Sequence, residues 1–197
     1  MRIFFGFFNC NLYFGAVFLA PTVPLIRQHF EFAKNFPGLR AKYVIGDSTV
    51  DSWGRKQWND AIDGIDVILI TPQLFLDALT ARNLELTHFC ILVFDECQQC
   101  VGSHPYSRIF SDHYIHARPA GSIRVVGLAE TLVKRKVKEE SEVKQAIRKL
   151  EKSMHSQMKE AESLLLPLST STQHRLECER DAPALDAVSL SMVIEPS

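Results

Sequence analysis

From Val17 onward, short apolar runs alternate with amphipathic stretches, the pattern of a parallel sheet covered by helices. Val17 to Ala20 predicts a buried strand. Thr22 to Phe36 predicts a helix with Leu25, Phe32 and Phe36 turned inward, stopped by Pro37-Gly38. Arg40 to Ile45 predicts a second strand, Ser52 to Ala61 a helix, and Asp66 to Ile70 a third strand. Thr71-Pro72 opens a further helix through Leu79, because proline suits the first helical position. Cys90 to Phe94 is the clearest strand, an unbroken apolar run that meets Asp95-Glu96, and Arg124 to Gly127 predicts the last. The expected fold class is α/β, a parallel sheet with flanking helices over residues 17–136.

Beyond Leu132 the period changes. Val143, Ile147, Leu150, Met154, Met158, Ala161 and Leu165 recur at three- and four-residue steps among Lys and Glu, which predicts one long amphipathic helix over 137–166. Its apolar stripe would pack on the domain or on a protein partner, with a free coiled coil or an RNA-reading helix as the alternatives. Residues 167–197 carry a Ser/Thr run and scattered prolines and read as a loose tail. Residues 1–16 form an apolar N-terminal segment. The stretch from Ile3 to Leu25 has no charged side chain, so a targeting segment or membrane span fits its length. Asn9, Asn11 and the merging of its end into a buried strand favour a truncated or displaced start over a membrane span.

Composition narrows the picture without naming a partner. At 197 residues, 46% apolar and 23% charged, the chain can bury a core of its own. A formal net charge of -1 excludes a generally basic surface, so any nucleic-acid contact must come from local patches. The cysteines (Cys10, Cys90, Cys97, Cys100 and Cys178) are loosely spaced and fit reduced thiols, as expected for a cytoplasmic or nuclear protein. Cys97 and Cys100 form C-x-x-C, but no second pair completes a zinc set. Asp112, His113 and His116 make a short polar cluster that is a weak metal candidate. Lys134, Arg135, Lys136 and Lys138 read as a solvated helix face before an RNA contact.

The strongest chemical feature is Ile91-Leu92-Val93-Phe94-Asp95-Glu96, a hydrophobic strand ending in adjacent carboxylates. In α/β sheets ligands bind beyond the carboxyl ends of parallel strands, where these acids emerge. Asp95 can hold a Mg²⁺ ion bound to a nucleotide, and Glu96 can orient or deprotonate an attacking water.

Asp95-Glu96-Cys97-Gln98 resembles the D-E-x-H box of superfamily 2 helicases, and further family motifs follow the expected order. Ala20-Pro21-Thr22 resembles motif Ia, Thr71-Pro72-Gln73 resembles motif Ib, and Gly127-Leu128-Ala129 stands where motif III begins. The wording VFLAPTVPLIRQHFEFAKNFPG, GIDVILITPQLFLDAL, FCILVFDECQQC and HPYSRIFSDHY is similar to Dicer-like proteins and the dsRNA-sensing helicases. The resemblance implies a RecA-like ATP-binding lobe over 17–136, with ATP and Mg²⁺ as cofactors, Asp95 and Glu96 catalytic, and Asp95 reaching the metal through ATP. It implies double-stranded RNA as partner, met by Pro21, Thr22, Thr71, Pro72 and Gln73, in RNA processing and RNA interference. Helices opening at Thr22 and Thr71 would offer free N–H groups to a phosphate, although a threonine there can equally be a plain helix cap. Gln98 and Gly127 would couple the nucleotide site to RNA.

Departures from the family pattern bear on activity. No G-x-x-x-x-G-K-[ST] loop precedes Ala20, since Gly6 and Gly15 are the glycines there and the first lysine is Lys34. Gln98 replaces the usual histidine, and Ala129-Glu130-Thr131 replaces the small T-A-S run. No second RecA domain or RNase III segment is recognisable in these residues. The expectation is a partial helicase lobe with weak or no ATP hydrolysis. The alternative is a non-enzymatic RNA- or protein-binding module, and a further one is an unstable product with its sheet open at an edge.

Overall fold

The structure, a computed structural model, describes residues 15–117, 123–129, 140–154, 158–160 and 190–193. The apolar segment before Gly15, the basic run at 134–138, Glu130, Thr131 and most of the tail lie outside the described residues. The elements run β1 (Ala16–Leu19), α1 (Val23–Ala33), β2 (Ala41–Val44), α2 (Arg55–Ile62), β3 (Val67–Ile70), α3 (Pro72–Thr80) and β4 (Ile91–Phe94). They continue with α4 (Pro105–Arg108), which passes into a π turn (Ile109–Tyr114), then β5 (Arg124–Ala129), α5 (Glu140–Met154), β6 (Met158–Glu160) and β7 (Leu190–Val193).

The strands form one seven-stranded sheet in the order β2-β3-β1-β4-β5-β7-β6. The first five in that order are parallel, and β7 and β6 are antiparallel additions. Every residue of β1, β3 and β4 is buried, because helices cover both faces and each strand therefore reads as a continuous apolar run. Alternation divides the core: Val17, Leu19, Ile68, Ile70, Leu92 and Phe94 face one side with α2, α3 and α5. Ala16, Phe18, Val67, Leu69, Ile91 and Val93 face the other, where Ile26 of α1 closes the layer.

Strand register matters most for the site. Val44 pairs with Ile70, Ile70 with Leu19, and Leu19 with Phe94, so β2, β3, β1 and β4 end flush, while Phe94 pairs with Gly127 and β5 runs on to Ala129. The residues that follow, Ala20, Thr71 and Asp95, leave the sheet at one level.

Several expectations need correction. In α1 Ile26 and Ala33 are buried and Leu25, His29 and Phe30 half-buried, Leu25 packing against the core as expected, while Phe32 is 45% exposed and packs edge-on against Phe36. Helical spacing can be phased more than one way, and here Ile26 packs on the sheet while Ala33, two turns on, is buried. The long helix ends at Met154 instead of continuing to 166, and Met158 lies in β6. Ser153, a weak helix former, lies in the last turn. Within the expected loose tail, Leu190–Val193 pairs with β5, Val126 opposite Val193 and Ala129 opposite Leu190, so the outer edge of β5 is not open. α5 buries Leu150 and Met154 in the core, which places it on its own domain.

Sequence periodicity gave no signal for α4. Its Pro105 start and the buried Tyr106, Ile109, Phe110 and Tyr114 build an aromatic stack under β4, with Phe94 5.0 Å from Tyr106 and 4.9 Å from Phe110.

Candidate functional site

Asp95 and Glu96 leave β4 through a short irregular turn. The Asp95 N–H donates to the Leu19 carbonyl at 2.8 Å, tying the acidic turn to the end of β1. The Tyr106 hydroxyl lies 2.8 Å from the Asp95 carbonyl and 3.0 Å from the Leu19 carbonyl, and it donates across this junction from below. Tyr106 is fully buried, and burial holds its phenol far above the usual tyrosine range, so it remains a neutral donor. Glu96 then adopts a left-handed backbone (φ 52°, ψ 44°), which an L residue enters at a cost of about 1–2 kcal/mol. The left-handed turn lets the chain reverse immediately after the strand and leaves Glu96 half-exposed at the sheet edge.

The carboxylates are each engaged on one oxygen. His29 Nε2 stands 2.9 Å from Asp95 Oδ2, and an ionised carboxylate can only accept, so the imidazole N–H donates. Gln98 Nε2 donates to Glu96 Oε2. Among the described residues, no hydrogen bond is made to Asp95 Oδ1. The Asp95 side chain is 17% exposed. A strand-terminal carboxylate with one oxygen free of hydrogen bonds among the described residues is the kind of ligand Mg²⁺ takes, one or two at a time, filling its octahedron with water and phosphate oxygens. Gln98 Oε1 is buried without a hydrogen-bond partner among the described residues.

Cys97 and Cys100 are buried and inert. Burial pushes the Cys97 thiol up to about 12, with the neighbouring Cys100 and Asp95 adding to it, and burial pushes Cys100 up to about 11. Thiols this far from ionisation are poor metal ligands and poor nucleophiles at neutral pH. No group of three or more His, Cys, Asp or Glu that could hold a metal occurs among the described residues. Gly127 sits beside Phe94 in register, and a Cβ there would lie 2.9 Å from Cys97 Sγ and 3.1 Å from Met154 Cε. Its absent side chain therefore admits both the acidic turn and α5 onto β5.

The remaining candidates share the same edge. Thr22 caps α1 and Thr71 caps α3 in extended conformation, yet neither hydroxyl bonds back to its helix. The plain side-chain cap is thus not formed at either position, and both helices start without an acidic residue in the first turn. Thr22 is exposed, Pro21 and Thr71 are half-buried, and Gln73 is exposed with its amide donating to Asp77 at 2.7 Å. Pro72 is buried, so it shapes the edge through the backbone it fixes at the start of α3.

The Asp112, His113 and His116 cluster lies elsewhere, lining a cavity of about 370 Å³ with Arg82 and Glu85 beyond the far end of α3. Ser111 and Arg108 donate to Asp112 and hold its carboxyl below the usual range, while partial burial lowers His113. Sequence reasoning missed His29 and Tyr106 as partners of the acidic turn. The only signal for Tyr106 was its place in the stretch HPYSRIFSDHY, and nothing marked His29.

Comparison with known proteins agrees with this layout. The DEAD/DEAH box helicase family matches residues 9–140. The chain is 34% identical over 162 residues to Endoribonuclease Dicer homolog 2 of Arabidopsis thaliana, covering 78% of this chain and 12% of that protein. It is 31% identical over 144 residues to Endoribonuclease Dicer homolog 3 of the same plant, covering 72% of this chain and 9% of that protein. Against Endoribonuclease Dicer homolog 3b of Oryza sativa subsp. japonica it is 40% identical over 98 residues, 50% of this chain and 6% of that one. The chain thus spans a small part of the length of these relatives. The helicase domain of Pyrococcus furiosus Hef superposes with a TM-score of 0.56 at 21% identity, over 78% of this chain and 30% of that one, which establishes the shared fold. With its parallel sheet, its acidic turn after β4 and these matches together, the chain belongs to the DEAD/DEAH box helicase family and corresponds to the helicase region of Dicer-like proteins.

Proposed function

We propose that this chain is a lobe of an RNA helicase motor which binds RNA at the carboxyl edge of its sheet and does not hydrolyse ATP by itself. The observation that carries the reading is the flush register of β1, β3 and β4, which brings Ala20-Pro21-Thr22, Thr71-Pro72-Gln73 and Asp95-Glu96 to one edge. Thr22, Thr71 and Gln73 offer side-chain donors and helix-start N–H groups to an RNA backbone, the contacts that position a strand without reading its sequence.

Asp95 would hold the Mg²⁺ of a bound ATP through its free oxygen, and Glu96 would orient a water. Bound Mg²⁺-ATP would supply the phosphoanhydride and neutralise charge on it. The chain's own contribution is to fix Asp95 between β1, β4 and Tyr106, and to keep Glu96 at the edge. A phosphate-cradling loop with its lysine gives such sites their main electrostatic support, and the 197 residues contain none. Coupling through Gln98 is weakened further, since its amide is engaged by Glu96. The role that follows is in double-stranded RNA processing and RNA silencing, in cytoplasm or nucleus.

The test is RNA-stimulated ATP hydrolysis by the purified chain beside Asp95→Asn. Little turnover in either is expected, and robust turnover lost in the variant would overturn the claim of inactivity. A second reading, a binding module without nucleotide chemistry, is favoured by threonine hydroxyls that do not cap their own helices and predicts salt-dependent dsRNA binding unaffected by ATP. A protein partner would have to use a surface of α5 other than Leu150 and Met154, which the sheet already covers.

A further inference from the structure

We propose that the cavity beyond the far end of α3 binds a small phosphate monoester, with the Arg82 guanidinium and the His116 imidazole on the phosphate and an apolar body against Leu79, Leu84 and Leu86. The cavity measures about 370 Å³, a size that admits one small organic molecule, and none of its lining residues belongs to the acidic turn after β4. Leu79, Leu84 and Leu86 line it and are part of the buried core, so its floor is apolar.

The polar groups around that floor leave a cationic surplus. Glu85 accepts from Arg55 Nη2 at 2.7 Å and Asp112 from Arg108 Nε at 3.2 Å, and neither of these arginines lines the cavity. Both acids are thus matched from outside it. Arg82 and His116 line the cavity and are exposed, and among the described residues neither side chain makes a hydrogen bond or ion pair. His113 has a different part. The Thr80 hydroxyl donates to the Leu76 carbonyl at 2.8 Å, so toward His113 Nε2 at 3.3 Å it can only accept, and the imidazole carries its proton there. Burial lowers His113 from its ordinary value, which makes it a neutral wall at neutral pH. A phosphate monoester brings about −1.5 to −2 charges and three acceptor oxygens, enough for a guanidinium fork and an imidazole together.

The backbone at Arg82 points the same way. Arg82 follows α3 at φ 57°, with its N–H bonded to the Leu79 carbonyl and the Asn83 N–H to the Ala78 carbonyl, a helix ending at which glycine is the ordinary residue. The Arg82 carbonyl accepts from Arg55 Nε, but a glycine would offer the same carbonyl. Arginine at this place therefore strains the helix end while its guanidinium returns no bond among the described residues, the pattern of a side chain kept for a ligand.

The experiment titrates the full chain with phenyl phosphate, benzoate, phenol and inorganic phosphate by calorimetry. It compares the natural sequence with Arg82→Gly, Arg82→Asn and His116→Ala. Glycine and asparagine both suit a left-handed backbone, so the thermal midpoints of the Arg82 variants should equal or exceed that of the natural sequence, which separates lost binding from lost folding.

Phenyl phosphate is expected to bind about tenfold more tightly than the other three, and to weaken about tenfold in both Arg82 variants and about fivefold in His116→Ala, the scale of hydrogen bonds to a charged group. Phenol binding as tightly as phenyl phosphate, no binding of either, or binding that survives Arg82→Gly overturns the site. Benzoate matching phenyl phosphate overturns the choice of phosphate. If both Arg82 variants melt early, His116→Ala, at an exposed position, decides the matter, and unchanged binding there overturns the proposal.

Discussion

Cys97 and Gly127 are packed so closely that the sulfur lies 2.9 Å from where a β-carbon on residue 127 would sit. The contact joins the turn that carries Asp95 and Glu96 to the neighbouring strand, and Met154 of α5 presses on the same spot. Gly127→Ala must displace a buried sulfur and a methionine methyl, and overpacking of this kind costs about 1–3 kcal/mol. A matching drop in stability should appear in denaturant unfolding. Adding Cys97→Ala should recover part of it, because the two sites share one contact. A loss that simply adds in the double variant would show that the Cys97 sulfur is not the obstacle.

Tyr106→Phe removes a buried donor that serves the Leu19 and Asp95 carbonyls, and it changes no apolar packing. Leaving a buried acceptor short of its donor costs about 1–3 kcal/mol. The effect should be local as well as global, with faster amide exchange at Asp95 and Glu96 than at Val67–Ile70. Unaltered exchange at the acidic turn would mean that β1 and β4 hold it without the phenol.

Alkaline pH should unfold the chain through its buried thiols. Cys97 is raised from an ordinary 9.0 to about 12 and Cys100 from 9.0 to about 11, both chiefly by burial. Both folded values lie above the unfolded ones, so the contribution is complete below about pH 9 and is lost as pH rises from there through 11 to 12. Thermal midpoints measured from pH 8 to pH 10.5 should fall, and fall less steeply in Cys97→Ala. Identical slopes would assign the alkaline sensitivity to other groups.

What the sequence discloses here depends on how local the physics is. Cys90 to Phe94 announced a buried parallel strand because both faces of such a strand are covered, and Thr71-Pro72 announced α3 because proline suits a helix start. The acids after β4 were legible for the same reason. The phase of α1 was not, because Phe32 and Ile26 both satisfy helical spacing and only the sheet decides between them. His29 reaching Asp95, and Tyr106 bridging two strand ends, depend on contacts across 66 and 87 residues, which no local period records. The end of α5 and the short strand Leu190–Val193 escaped because a few residues of strand are defined by the edge they meet. Pro72 shows the converse case, since its place in a motif implied contact while its burial gives it a backbone role.

The pairing of β5 with Leu190–Val193 ties the order of synthesis to the order of folding. Val126 and its neighbours leave the ribosome long before the segment that lines their outer edge, so the nascent sheet presents unsatisfied amides and carbonyls throughout that interval. Such an edge recruits whatever strand is nearest, including that of another nascent chain. Slow passage across residues 130–193 should therefore favour chaperone capture or aggregation over folding.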